Sequence, residues 1–173
     1  MPKQTEPVMR VAERSPSLAA RQPILRRLTG AHPDYAAAHA LSRVERIALV
    51  KQGVPARLLA TMADDMQVPR ERLYAWLGLA RTTANRKLKD DALLSQDESE
   101  RALGLARLVG QVQKIVAESG EPDGFDAARW TAAWLAEPNP ALGGHAPGEL
   151  TDTADGRALV SGLVAQMQSG AYA

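Results

Sequence analysis

The chain has 173 residues, room for one ordinary domain or two small ones sharing a core, and its 21 Lys and Arg stand against 20 Asp and Glu. A net charge of +1 excludes a uniformly polyanion-seeking protein, and the lack of cysteine excludes disulfide scaffolds, cysteine nucleophiles and thiolate metal sites. No run approaches the ~18 consecutive apolar residues of a membrane span, and Arg10, Glu13, Arg14, Arg21, Arg26 and Arg27 interrupt any apolar signal core at the start.

The expectation is a cytoplasmic chain with no membrane partner. Its core is rich in Ala and Leu and poor in aromatics, with a single Phe, and such a core packs as helices. The first 41 residues carry Pro2, Pro7, Pro16, Pro23 and Pro33 with little periodicity. They read as an N-terminal arm, partly disordered, with short helical turns allowed around 24–28 and 35–41. Ser42 is a plausible N-cap for a helix in which Val44, Ile47, Ala48 and Val50 recur at helical spacing, ending at Gly53. Pro55 opens a second helix through Leu58, Leu59 and Met62. Pro69 opens a third with Leu73, Trp76 and Leu77 on one face, closed by Gly78. A fourth runs from about Leu79 to Lys89. Asp97 and Ser99 are expected to precede a long amphipathic helix that ends at Gly120.

Residues 121–124 form a break, and a helix over 125–135 follows, with Asp126 near its positive end and Pro138 stopping it. Asn139-Pro140 and Gly143-Gly144 read as a loop of defined turns. A last helix starts near Thr153 and Asp155, with Leu159, Val160, Leu163, Val164 and Met167 on one stripe, and ends at Gly170. No strand alternation is visible. The fold expectation is all-α: a helical bundle with a helix-turn-helix over 42–120, then a small helical unit over 121–173.

Charge is unevenly placed. Residues 70–89 hold Arg70, Arg72, Arg81, Arg86, Lys87 and Lys89 against one acid, Glu71, whereas eight acids face three bases from Gly110 onward. Two short helices joined at Gly78, the second rich in Arg, Lys, Thr and Asn, have the pattern of a helix-turn-helix. A recognition helix needs cationic donors for guanine and phosphate, an amide for adenine, and small hydroxyls near the backbone. Arg81, Thr82, Thr83, Asn85, Arg86, Lys87 and Lys89 are the candidate DNA-binding residues, with Ala80, Ala84 and Leu88 expected on the buried face.

Catalysis has no candidate constellation. His32, His39 and His145 lack carboxylate pairs at metal-binding spacing, and the adjacent pairs Asp64-Asp65 and Asp90-Asp91 point to different sides of a helix. Trp130 and Trp134, one turn apart, read as core. No enzyme, metal or cofactor is expected.

The run Trp134-Leu135-Ala136-Glu137-Pro138-Asn139-Pro140-Ala141-Leu142-Gly143-Gly144, then Pro147, Leu150, Asp155-Gly156-Arg157 and Gly170-Ala171-Tyr172, resembles the toxin-binding domain of Xre/MbcA/ParS-type antitoxins. Arg81-Thr82, Asn85-Arg86-Lys87, Leu94-Ser95 and Glu98-Ser99-Glu100-Arg101 resemble the Xre-like helix-turn-helix of the same family. The resemblance covers about residues 42–173. It implies a type II antitoxin whose partner is a RES-domain, NAD-depleting toxin. The C-terminal unit would close the toxin's active site, and the helix-turn-helix would repress the shared operon. Trp134, Pro138, Asn139, Leu142, Gly143 and Gly144, with the tail Gly170, Ala171, Tyr172 and Ala173, are the residues it assigns to toxin binding. An aromatic ring beside a free carboxylate could stack in a nucleotide pocket, and an acidic C-terminal third suits a basic cleft. Paired half-sites on DNA make a homodimer the expected state. Two alternatives stay open from the residues alone: a stand-alone helix-turn-helix regulator, and an adaptor that never meets DNA.

Overall fold

Several helices start where a side chain replaces one of the backbone partners missing from a first turn. The computed structural model describes residues 18–120 and 123–168. The first part of the arm and the tail residues Gly170, Ala171, Tyr172 and Ala173 lie outside the described residues. Helix α1 spans Leu18–Leu28 and α2 spans Tyr35–Ala40, whose N-cap Asp34 accepts from the Ala37 amide. Ser42 opens α3 (Arg43–Gln52) through a reciprocal capping box with Glu45. Helices α4 (Arg57–Asp65), α5 (Arg70–Trp76) and α6 (Arg81–Lys89) follow. The long helix α7 (Gln96–Ser119) is opened by Ser95, in a capping box with Glu98, rather than by Asp97 or Ser99. Asp126 caps α8 (Ala127–Ala136), and α9 spans Ala154–Gln168, with 3-10 turns at Pro140–Leu142 and Pro147–Leu150 between them. Among the described residues no strand forms, and a lone antiparallel bridge pairs Pro55 with Leu93. The all-α expectation holds. No helix among the described residues is long and apolar enough to cross a membrane.

Helix α7 is the spine. Its 24 residues span about 36 Å at 1.5 Å per residue, and α2, α3, α8 and α9 all pack on it. Leu28, Tyr35, Leu49, Leu59, Met62, Leu73, Leu105, Val109, Leu135 and Val160 belong to one continuous core. The boundaries at 41 and 120 therefore separate sequence patterns and not hydrophobic cores. Leu28, Tyr35 and Ala38, all in the stretch read as arm, are 0–1 % exposed. Helix α2 falls where the sequence allowed a short helical turn over 35–41, but six residues are too few to show by periodicity that it joins the core.

What makes α2 stick is a glycine. A Cβ on Gly110 of α7 would lie 2.0 Å from the Tyr35 carbonyl oxygen and 2.8 Å from His39 Cβ, so the two backbones touch directly. The α9 stripe is buried at Val160, Leu163 and Val164 as expected, and three residues of the expected faces lie outside the core. Val44 and Ile47 of α3 are 55 % and 49 % exposed while Leu49 is buried, and Leu159 of α9 is 51 % exposed.

Gly110→Ala should destabilise the fold by about 2–3 kcal/mol, because neither backbone can yield without moving Tyr35 out of the core. A thermal melt should then show Tm lower by roughly 4–12 °C; an unchanged Tm would mean that α2 does not hold this position.

Candidate functional site: a clamped turn, a basic helix and a rigid loop

The turn between α5 and α6 is a complete Schellman motif. Leu79 N–H donates to the Tyr74 carbonyl at 2.8 Å and Gly78 N–H to that of Ala75 at 3.1 Å, with Gly78 at φ +57° in the left-handed region. Three further carbonyls, which the motif leaves free, are satisfied from elsewhere. Arg101 of α7 donates to Leu77 and Gly78 at 2.8 and 2.9 Å, and the Thr151 hydroxyl donates to Trp76 at 2.6 Å. Gly148 lies under the Trp76 indole, where a Cβ would come within 2.3 Å of Nε1. The angle between the two helices is thus set by residues far along the chain. Sequence reasoning missed Arg101 and Thr151, since nothing in their local pattern marks them as clamps.

Helix α6 presents Arg81, Thr82, Asn85, Arg86 and Lys89 to solvent, at steps of one, three and four residues. Ala84 is buried and Leu88 half-buried as expected, but Ala80 is exposed at the N-cap. Arg81 pairs with Glu71 at 3.3 Å in an exposed geometry that leaves its guanidinium accessible. Asn85 is oriented from below: the hydroxyl of buried Tyr74 donates to its Oδ1 at 3.1 Å, turning the amide nitrogen outward. Burial pushes the Tyr74 phenol up, so it stays a donor across the physiological range.

Thr83 and Lys87 point elsewhere. Thr83 is half-buried. The Lys87 ammonium pairs with Glu98, the capping residue of α7, where the two side chains are only 18 % and 15 % exposed. Burial works against the Glu98 carboxylate, but the Lys87 hydrogen bond and the Ser95 cap outweigh it and hold its pKa below the usual carboxylate range. Lys87, grouped with the DNA-facing residues by its sequence position, instead ties α6 to α7.

The C-terminal loop is a built shape. Asn139 Oδ1 accepts from Ala141 N–H at 2.9 Å, its carbonyl accepts from Gly144 N–H at 3.0 Å, and its own N–H donates to the His145 carbonyl at 3.0 Å. Gly143 (φ +65°) and Gly144 (φ +88°) need the left-handed region to turn the loop, and a Cβ on either would meet open space. Leu142 is buried beneath the loop, whereas Pro138, Gly143 and Gly144 are exposed. Trp134 is half-buried and stacks on Trp130 at 6.0 Å with planes 7° apart, and Phe125 adds a third ring 6.1 Å from Trp130. The structure therefore puts Trp134, Pro138, Gly143 and Gly144 at the surface, while Asn139 and Leu142 hold the loop from within. No group of three or more His, Cys, Asp or Glu among the described residues could hold a metal ion.

Two family models match the chain. The model of the antitoxin Xre-like helix-turn-helix domain matches residues 45–107, which includes α5, the clamped turn and α6. The model of the antitoxin Xre/MbcA/ParS C-terminal toxin-binding domain matches residues 123–170, which includes α8, the loop and α9. The chain is 46 % identical over 139 residues to a Prs ADP-ribosylating antitoxin of Sphingobium sp. (strain YBL2), a match that covers 80 % of this chain and 87 % of that relative.

Because Glu98 has a lowered folded pKa, its contribution is fully present above the unfolded carboxyl value of about 4.3 and is lost as pH falls through the folded value. Glu98→Gln should cost about 1–3 kcal/mol at neutral pH by breaking the pair with Lys87 and weakening the cap. Urea titrations of both proteins should show the gap narrowing below about pH 4; a gap constant with pH would remove Glu98 from this role.

Proposed function

The chain belongs to the Xre/MbcA/ParS antitoxin family, joining an Xre-like helix-turn-helix to a C-terminal toxin-binding domain, and from that premise we propose that it neutralises a RES-domain toxin that consumes NAD and represses their shared operon as a homodimer in the cytoplasm. The observation that carries the reading is the relative at 46 % identity, whose match runs through most of both proteins. Its name couples an antitoxin to ADP-ribosylation. That reaction breaks the nicotinamide–ribose bond of NAD, the same bond a NAD-depleting enzyme breaks.

Toxin recognition rests on the exposed parts of the C-terminal unit: the stacked Trp134, Pro138 and the Gly143-Gly144 turn. A loop held by its own hydrogen bonds loses little entropy on docking, which suits tight binding. The tail over 170–173 completes the proposal, with the Tyr172 ring entering the nucleotide pocket. The excess of acids from Gly110 onward favours approach to a basic, dinucleotide-binding cleft.

DNA recognition rests on α6. Arg81, Arg86 and Lys89 supply charge for phosphate and guanine, and Thr82 a short hydroxyl contact. Asn85, with Oδ1 engaged by Tyr74, offers its two N–H donors to base acceptors such as guanine or adenine N7. Two copies are needed to read half-sites about one helical turn apart.

The deciding experiment is to purify the chain with the product of its neighbouring open reading frame and measure NAD consumption before and after separation. The toxin alone should consume NAD, and the complex should not. A chain truncated after residue 169 should still bind but should no longer suppress consumption. A partner that never consumes NAD would overturn the toxin assignment, and full suppression by the truncated chain would overturn the role of the tail.

On DNA, Arg81→Ala with Arg86→Ala should weaken operator binding by about 1–3 kcal/mol for each base-reading guanidinium removed and flatten its salt dependence, while toxin binding is unchanged. Unaltered operator affinity in a folded double variant would remove α6 from the DNA interface.

A further inference from the structure

A groove runs along α7, walled by α3 and α9. It comprises two adjoining cavities of about 320 and 370 Å³, which share Glu100, Gly104, Arg107 and Arg157. Gly104 provides its floor: a Cβ there would lie 2.8 Å from Arg157 Cδ, so the glycine lets the Arg157 side chain cross α7. Arg43, Arg46 and Lys51 of α3 line the wider end. Among the lining residues five cations face one carboxylate, Glu100, which lies 3.7 Å from Arg157, and Asp97 and Asp152 act on Arg157 from beyond the lining.

That arrangement lacks a component. Arg46 donates to the Leu41 carbonyl, a neutral acceptor, and Arg157 divides its guanidinium between the Thr151 carbonyl and the ion pair with Glu100. Arg107 Nε is buried and has no hydrogen-bond partner among the described residues. Burial, then the Arg46 charge beside it, lowers the Arg107 pKa, which is the response of a guanidinium held near a like charge without an anion. Ordinary solvated arginines pair off or swing into water. Here the half-buried stems and the Gly104 floor hold three guanidiniums around a cavity large enough for a small ligand.

We propose that this groove is a binding site for a phosphate-bearing anion, gripped by Arg46, Arg107 and Arg157, with Arg43 and Lys51 at its mouth. Guanidinium forks match phosphate oxygens bidentately, and a multiply charged group fits a cluster of five cations and one carboxylate better than a single carboxylate would. The site lies on neither the exposed face of α6 nor the C-terminal loop, so it is independent of the toxin and operator readings above.

The test is thermal melting of the full chain with pyrophosphate at low ionic strength, against potassium chloride at matched ionic strength. Pyrophosphate at roughly ten times its Kd should raise Tm by about 3–6 °C. The rise should vanish in Arg46→Gln with Arg107→Gln and persist in Arg86→Gln. Without pyrophosphate, Arg107→Gln should melt no lower than the wild type, since it relieves repulsion from Arg46. Should the double variant melt too low to read, Lys51→Gln followed by calorimetric titration should bind pyrophosphate at least about threefold more weakly. Repeating the melt with ADP-ribose and with a non-operator duplex distinguishes a free solute from a nucleic-acid backbone as the source of the phosphate. No rise beyond the chloride control, or an equal rise in the double variant, overturns the proposal.

Discussion

Three consecutive carbonyls, those of Trp76, Leu77 and Gly78, carry the constraint on which the rest of the molecule depends. They sit at the last residue of α5 and in the turn before α6, where no helical amide reaches them. Left unpaired, the carbonyls of the buried Trp76 and Leu77 would each cost about 1–3 kcal/mol, whereas that of Gly78 is exposed. Arg101 covers two and Thr151 the third. One clamp comes from α7 and the other from the segment that leads into α9. The basic helix therefore takes its direction from the C-terminal half of the chain. The close fit of Gly148 under Trp76 makes the same link by packing. A protein assembled from two matching family domains is, at this turn, one mechanical body.

The basic segment shows how a charge run divides once it folds. Lys87 is withdrawn into the pair with Glu98, Arg81 is tethered loosely by Glu71, and Arg86 and Lys89 are exposed on the outer face. Glu98, which follows the segment, caps α7 and neutralises Lys87 with the same carboxylate. Asn85 adds a layer of precision. A buried phenol beneath an exposed amide fixes which end of that amide faces outward, and orientation distinguishes a donor from an acceptor at a base edge.

Much of this is legible in the sequence because it follows local rules. Ser42 caps α3, Gly78 closes α5, Asp126 caps α8, and the apolar stripe of α7 lies in the core as its periodicity requires. What stays hidden depends on distant partners. Gly110 reads as a blemish in a helix until α2 is laid against it. Val44 and Ile47 keep helical spacing with Ala48 and Val50, yet α3 turns Leu49 inward, because docking on α7 decides which face is buried. Lys87 resembles its neighbours for want of any sign that Glu98 lies beside it. In the C-terminal unit, the resemblance marks the loop but does not separate the residues that shape it from those it displays.

That separation bears on how the loop works. Asn139 and Leu142 spend their groups inward, on the Ala141 amide and on the core respectively. Replacing either would change the loop's shape without removing an exposed surface, so weaker binding in such variants would report on geometry. Gly143 and Gly144 carry no side chain, occupy left-handed backbone, and face open space. A β-carbon there costs backbone strain of about 1–2 kcal/mol whether or not a partner is present. A bulkier side chain at the exposed Ala141, which joins the loop's hydrogen bonds through its backbone N–H alone, tests contact with the loop's polar network kept. The distinction follows from where each residue's polar and apolar atoms are satisfied, which neither spacing nor family resemblance contains.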